Sequence, residues 1–507
     1  MATMNPPVSQ TRSFSTVFLI ELWERFGYYG MQALMIYFMV ERLGFDDDKA
    51  NLTWGAFTAL VYAAPAIGGW VGDQLLGTRR TMMIGACILA LGYGLLSVPT
   101  DSQYFLYCAL GVVVVGNGLF KPNAGNLVRK IYEGDDSKID SAFTLYYMAV
   151  NIGSTVSILL TPWIKDHWGW NVAFAVCMGG LITGLINYAF MFRTLSHIGS
   201  PPDKHPVHKG KLAAVLGTGV VTLFVVAFIL QHDAVAKGCV YFAGVVILAI
   251  FAYLIAKSTR SERSGLIAAL VLTVQTLLFF IFYQQMSTSL ALFALRNVSA
   301  EFSIFGIHLF DWLPAQYQAL NPLWIMVLSP ILAWSYTYFG KRGKDLPIAG
   351  KFALGFAVVA IGFFIYGVGG RFAVEGRVSS WIMIWGYGSY SLGELLVSGL
   401  GLAMIARYVP ERMGGFMMGA YYVATGISQY LGSVIANLAS IPKDMTNPME
   451  SLALYTDLFN KLGFVAVGGT VLAIILLPMM KRLSATHSEH SQAKTATAPA
   501  SAEAAAE

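Results

Sequence analysis

Glu21-Leu22-Trp23-Glu24-Arg25-Phe26-Gly27-Tyr28-Tyr29-Gly30 sets two carboxylates and a guanidinium inside an apolar run, from about Phe14 to Val40, that is long enough to cross a bilayer. Charge in hydrocarbon costs several kcal/mol, so an intramembrane ionisable group points to a functional site. Glu21, Glu24 and Arg25 stand at i, i+3 and i+4, on one helical face and within reach of one another. That face cannot point at lipid. It lines a polar cavity or a packed bundle interior.

The rest of the 507-residue chain has the same character: 56% of residues are hydrophobic, 12% are charged, and the mean hydropathy is +0.60. A soluble domain is typically about a quarter charged. Fourteen apolar segments approach the ~20 residues a spanning helix needs, near 14–40, 51–76, 80–98, 103–127, 140–161, 172–193, 211–230, 239–257, 265–294, 319–339, 350–369, 380–407, 412–438 and 455–480. No room is left for a large soluble domain. Assigning alternate loops to opposite sides puts about two-thirds of the 33 Lys and Arg on the side shared by both termini, which is therefore expected to be cytoplasmic. These loops account for the net charge of +5, and no nucleic-acid partner is expected.

The polar N-terminus and the lack of a small-residue cleavage site predict no cleavable signal peptide. Cys87, Cys108, Cys177 and Cys239 are too scattered for a metal site or disulfide framework and read as small buried hydrophobes. There is no HExxH, paired CxxC or Walker-type loop, so neither an enzyme nor a bound cofactor or metal is expected.

The chain divides into a cytoplasmic N-terminus (1–13), a six-helix bundle (14–193), a two-helix insertion with its linkers (194–264), a second six-helix bundle (265–482) and a disordered cytoplasmic tail (483–507). The turns Gly72-Asp73-Gln74-Leu75-Leu76-Gly77-Thr78-Arg79-Arg80 and Phe339-Gly340-Lys341-Arg342-Gly343-Lys344 hold corresponding places in the two bundles. Such repeats mark secondary transporters, whose site lies near the midplane between halves. Asp73, Arg79 and Arg80 are expected at the cytoplasmic mouth as part of a gate.

The glycine-aspartate-basic turn resembles a signature of the major facilitator superfamily. The opening stretch is similar to the ExxERFxYYG motif of the proton-dependent oligopeptide transporter (POT) family, and Phe143-Thr144-Leu145-Tyr146-Tyr147-Met148-Ala149-Val150-Asn151-Ile152-Gly153-Ser154 to its second signature. Gly116–Asn123, Gln318–Pro322 and Gly393–Ser398 add further matches in order, and the insertion looks like that of bacterial members. The resemblance runs from about residue 14 to 480. It implies a major facilitator fold of fourteen transmembrane helices in a bacterial inner membrane, importing di- and tripeptides with protons.

A short peptide is a zwitterion with variable side chains, so a promiscuous carrier grips its ends. The resemblance implies that Arg25 and Lys121 hold the carboxylate, and that Asn151, Asn321 and Glu394 hold the amino group. Tyr28, Tyr29, Tyr62, Tyr147 and Ser398 complete the pocket, and Glu21, Glu24 and Arg25 couple the proton. Plainer readings stand beside these. Arg25 can serve only to neutralise its own helix, Lys121 can snorkel to the interface, and the asparagines can be interhelical glue. A carrier of the same fold for another small anion or drug-like molecule is the alternative function.

Two departures from the family pattern stand out. Gln32 occupies the place of a frequent second arginine, and Tyr283-Gln284-Gln285 stand where a seventh-helix acid is common. Losing both charges leaves neither unpaired, and an outer gate joining Gln32 to Gln284 is expected. All eight histidines fall outside the predicted spans, so coupling is expected to rest on carboxylates.

Overall fold

Apolar runs in hydrocarbon must close their backbone hydrogen bonds internally, and this chain does so as helices. The structure, a computed structural model, describes residues 9–496 apart from 135, 345, 409–410, 443–444 and 446; for 136–137, 140, 260–261, 399–416 and 484–496 it describes backbone alone. Among these residues are fourteen long helices, one for each predicted span, in the major facilitator arrangement. The first bundle comprises α1 (Gln10–Tyr37, prolonged by a π turn Phe38–Arg42), α2 (Asp47–Leu76), α3 (Thr78–Leu96), α4 (Gln103–Ile131), α5 (Asp136–Trp168) and α6 (Trp170–Met191). The insertion is α7 (Lys209–Gln231) and α8 (Asp233–Lys257).

In the second bundle, α9 runs Arg260–Gln284, breaks in a 3₁₀ turn at Gln285–Ser287 and resumes at Ser289–Asn297. It is followed by α10 (Leu320–Gly340), α11 (Ile348–Gly369), α12 (Trp381–Tyr408), α13 (Glu411–Ala436) and α14 (Pro448–Ala496). An antiparallel hairpin, β1 (Glu301–Ile304) and β2 (Ile307–Asp311), caps the end of α9 on the face away from the termini. Sequence periodicity did not predict it, because β2 is exposed throughout and carries no alternation.

α1 packs on α5 and α6, and the second bundle is built on α11 against α12 and α14. The halves meet where α2 lies along α13 and α5 along α10. Small residues permit the close approach that fixes the charged face of α1. A Cβ at Gly27 would stand 2.8 Å from Tyr93 and 3.0 Å from the carbonyl oxygen of Cys177. The insertion straddles the molecule, with α7 on α4 and α8 on α13. Only 17% of the most apolar stretch of either is buried, so both mainly face lipid.

Three expectations need correction. Helix α14 continues to Ala496, past the expected start of a disordered tail at 483, since no glycine or proline interrupts it there; 497–507 lie outside the described residues. Of the cysteines only Cys177 is buried; Cys87 and Cys239 are exposed and Cys108 is half-buried, because apolar residues in a membrane helix can face lipid as readily as the core. His167 lies in the last turn of α5, which outruns the predicted span of 140–161.

Candidate functional site

The charged face of α1 points into the bundle, with Glu21, Glu24 and Arg25 all at least 97% buried. Arg25 Nε lies 3.1 Å from Glu21 Oε1 and also pairs with Glu24, and the guanidinium sits 5.4 Å from the centre of the Tyr28 ring. In this state Arg25 is neutralised within its own helix, as the plainer reading had it. Lys121 is different. It projects from the middle of α4 over the Tyr62 ring, Nζ to centroid 5.1 Å, with no carboxylate in ion-pair distance among the described residues. It lines an internal cavity rather than reaching a membrane face, which removes the snorkelling alternative.

Two adjoining cavities of ≈ 30 and ≈ 40 Å³ lie between the halves and share Tyr29, Gln32 and Tyr283 in their walls. The first is lined by Arg25, Tyr28, Tyr62 and Lys121, facing Gln284. The second brings Tyr147 and Asn151 of α5 opposite Asn321 and Glu394. Glu394, on α12, is 7% exposed and has no cationic partner among the described residues. Its Oε2 accepts a 2.7 Å hydrogen bond from Asn321 Nδ2, which also reaches Ser391 Oγ at 3.0 Å. Asn151 donates to the Tyr147 carbonyl in its own helix at 2.8 Å, so it is not interhelical glue. Ser398, one turn past Glu394, lines neither cavity.

Gln318, the first residue of the Gln318–Pro322 match, has no role implied by the resemblance. It is 5% exposed, lines the second cavity, and neither amide atom has a partner among the described residues. A buried polar group left unsatisfied by its own fold marks a place where something polar binds. Sequence gave no cue to it, because an amide beside a helix start is usually solvated.

Of the gate residues, Asp73, Arg79 and Arg80 lie at the terminal face, while the Gln32–Gln284 pairing is not formed. Gln32 and Gln284 line the same cavity but do not pair: Gln32 donates to Ser287 Oγ at 3.4 Å, and Gln284 to Ser433 Oγ at 2.9 Å and Thr58 Oγ1 at 3.3 Å. The break in α9 turns Gln284 toward α2 and α13. Among the described residues, Arg79 and Arg80 pair with neither Asp73 nor the opposite bundle. Arg79 approaches Asp203 at 3.8 Å, and Arg80 donates to the Pro202 and His205 carbonyls at 3.0 and 2.6 Å, binding the turn to the linker before α7. Asp73 instead accepts from Asn126 at 2.9 Å. Gly77 makes the turn at φ +102°, a conformation side chains resist.

What joins the halves lies on the face away from the termini. Asp47, at the start of α2, takes both nitrogens of Arg296 at the end of α9, at 2.6 and 2.7 Å. Arg296 also donates to the Tyr455 hydroxyl at 2.7 Å, and the Ile441 N–H reaches Asp47 at 3.2 Å. Asn51 donates to Asn437 at 2.9 Å and Tyr37 to the Ala291 carbonyl at 2.9 Å. Among the described residues, every polar bond between the bundles lies at or beyond the level of Thr58 and Gln284 on that side. The latch is not legible in the sequence, because charges near helix ends look like solvated ones.

Two helical bundles, tied at one face and enclosing a split set of buried charges, define a membrane transporter of the major facilitator fold rather than an enzyme. Comparison narrows the class. The model of the POT family matches residues 79–451. The chain is 42% identical to dipeptide and tripeptide permease B of Aliivibrio fischeri (strain MJ11), over 94% of this chain and 96% of the relative. It is 40% identical to dipeptide and tripeptide permease A of Klebsiella pneumoniae (strain 342), over 96% of each. The crystal structure of tetrameric PepTSo2 superposes with a TM-score of 0.87 at 63% identity, covering 94% of this chain and 99% of that one. The chain belongs to the POT family.

Proposed function

We propose that this protein is a proton-coupled symporter that imports di- and tripeptides across a bacterial inner membrane by alternating access, with both termini cytoplasmic. The observation that carries this reading is the division of charge across the cavities, Lys121 beside Arg25 in the first half and Glu394 in the second. Neither Lys121 nor Glu394 has an ion-pair partner among the described residues, whereas Arg25 is held by its own helix. A zwitterion laid between them complements both ends. Its carboxylate faces Arg25 and Lys121, and its ammonium faces Glu394, Asn321 and Asn151. Tyr28, Tyr29, Tyr62 and Tyr147 provide hydroxyls and apolar walls without choosing among side chains. The permease relatives support the same substrate class.

Proton coupling follows from the helix-bound Arg25. With Glu21 and Glu24 both ionised, the guanidinium is held by its own helix. A proton on either carboxylate weakens that hold and frees Arg25 for a peptide carboxylate. Proton loss draws it back and releases the peptide. At ≈ 30 and ≈ 40 Å³ the cavities hold a few waters at most, so a peptide enters only when the halves part. The latch at the face away from the termini leaves the terminal face as the side that parts first.

The test is uptake of labelled dialanine into proteoliposomes, with and without an inwardly directed proton gradient, for wild type and Lys121→Ala. Gradient-dependent uptake that the variant loses is expected. No uptake by folded wild type would overturn the dipeptide reading, leave the fold intact, and favour a carrier for another small anion or drug-like molecule.

A further inference from the structure

The terminal face carries a further cavity, of ≈ 650 Å³, between the α2–α3 turn, the end of α4 and the start of α7. That is within the size range of ligand sites. Its walls hold four cations, Arg80, Arg129, Lys130 and Lys211, against one carboxylate, Asp73. Arg80 is committed to backbone carbonyls of the linker, and Asp73 to Asn126. Arg129 bonds only the Asn126 amide, and neither Lys130 nor Lys211 has a carboxylate in ion-pair distance among the described residues. Three cations therefore face this cavity unneutralised.

Directly beneath it is an apolar groove of ≈ 230 Å³ between α2, α4 and α7, and Leu75 lines both spaces. Small residues, Ala64, Gly68, Gly118, Ala214 and Gly219, hollow the groove, and Ile67 and Trp70 flank it on the lipid side, 68% and 57% exposed. From Lys211 to Thr222, its far end on α7, is about 17 Å at the helical rise. Half the hydrocarbon thickness of a bilayer is about 15 Å.

We propose that this composite is a binding site for one anionic phospholipid of the leaflet at the terminal face. The phosphate and headgroup sit among Arg129, Lys130 and Lys211, and one acyl chain lies in the groove along α7. Charge complementarity selects the headgroup, as basic pockets between helices do elsewhere. Continuity through Leu75 gives the chain its path. A soluble phosphate would use the basic cavity and leave the groove empty; a zwitterionic lipid would fill the groove and leave the cations uncompensated. The occupant also bridges the first bundle and the insertion, since its walls come from α2, α4 and α7.

The test uses full-length protein in detergent, with lipid binding followed by native mass spectrometry. Dioleoyl phosphatidylglycerol is the probe, and dioleoyl phosphatidylcholine and glycerophosphoglycerol, the same headgroup without chains, are the competitors. One tightly retained phosphatidylglycerol is expected, displaced by neither competitor at equal concentration. The triple variant Arg129→Ala, Lys130→Ala, Lys211→Ala should bind it about a hundredfold more weakly, several-fold per cation. Thr218→Trp, which fills the groove and leaves the cations, should also lose the tight lipid. Lys209→Ala removes a nearby cation outside the cavity and should change nothing. Thermal unfolding of each variant separates lost binding from lost fold. Equal retention of phosphatidylcholine, competition by the free headgroup, or full binding by Thr218→Trp would each overturn the proposal.

Discussion

At the scale of single residues, the proposed site rests on two charges, Lys121 and Glu394, that have no ion-pair partner among the described residues. Glu394 has one strong donor, the Asn321 amide, and a carboxylate with spare acceptor capacity. A charge-assisted hydrogen bond contributes about 1.5–3 kcal/mol. Glu394→Gln is therefore expected to raise the KM for dialanine by one to two orders of magnitude. N-acetyl-dialanine, which lacks the ammonium, should be indifferent to the change. Equal losses for the two substrates would show that Glu394 does not meet the amino end. Gln284, 2% exposed and bonded to Thr58 and Ser433, behaves oppositely. Gln284→Glu puts a carboxylate into the cavity that Arg25 and Lys121 line, where it competes with a peptide carboxylate for those cations and should lower uptake; because Gln32 points to Ser287, adding Gln32→Arg should not rescue it. The charged residues of the site were legible in the sequence, since hydrocarbon tolerates them only for cause. Their pairings were not. Spacing puts Arg25 in reach of Glu21 and Glu24 but is silent on whether it also faces a ligand, and it gives no sign that Gln284 turns away from Gln32.

At the scale of elements, the latch between α2 and α9 sets which face is closed. Breaking a buried ion pair by removing one partner costs up to about 3–5 kcal/mol, less where one side is partly open, as Arg296 is at 25%. Taking about 2 kcal/mol, Asp47→Asn should shift the closed-to-open ratio about thirtyfold. Labelling of Asn51→Cys by a membrane-impermeant maleimide, in a cysteine-free background, reads that shift: slow with Asp47 intact, fast with Asp47→Asn. The hairpin beside the latch has its own titrating pair. His308 Nε2 lies 3.0 Å from Asp311 Oδ1, and that hydrogen bond raises the imidazole above its ordinary value. The pair is thus complete at low pH and is lost as pH rises through the raised value. Asp311→Asn should move the NMR titration of His308 downward. Helix existence was readable from runs of apolar residues, but the hairpin and the break at Gln285–Ser287 were not. A short exposed ribbon has no burial pattern to betray it, and a 3₁₀ turn within an apolar run leaves the composition unchanged.

For the molecule as a whole, the fourteen spans were visible because bilayer thickness imposes a length on each, whereas the major facilitator arrangement of six, two and six helices was legible only through the resemblance of the motifs. The conformation was not, since alternating states share one sequence. Asn51 and Asn437 touch across the closed face, so Asn51→Cys with Asn437→Cys should form a disulfide that abolishes uptake, and reduction should restore it. Uptake that persists with the bond fully formed would count against alternating access.

The insertion has a mechanical consequence. Its two helices lean on opposite bundles and are joined by His232 alone, while Lys49 clips their tip to α2 through Asp233 at 2.8 Å. Such a strap has almost no slack. In the alternating-access cycle proposed above, rocking of the bundles would drag both lipid-facing helices sideways through the acyl chains, so each turnover would carry a frictional load. The speed of the cycle then depends on the viscosity of the surrounding membrane as well as on the chemistry at its centre.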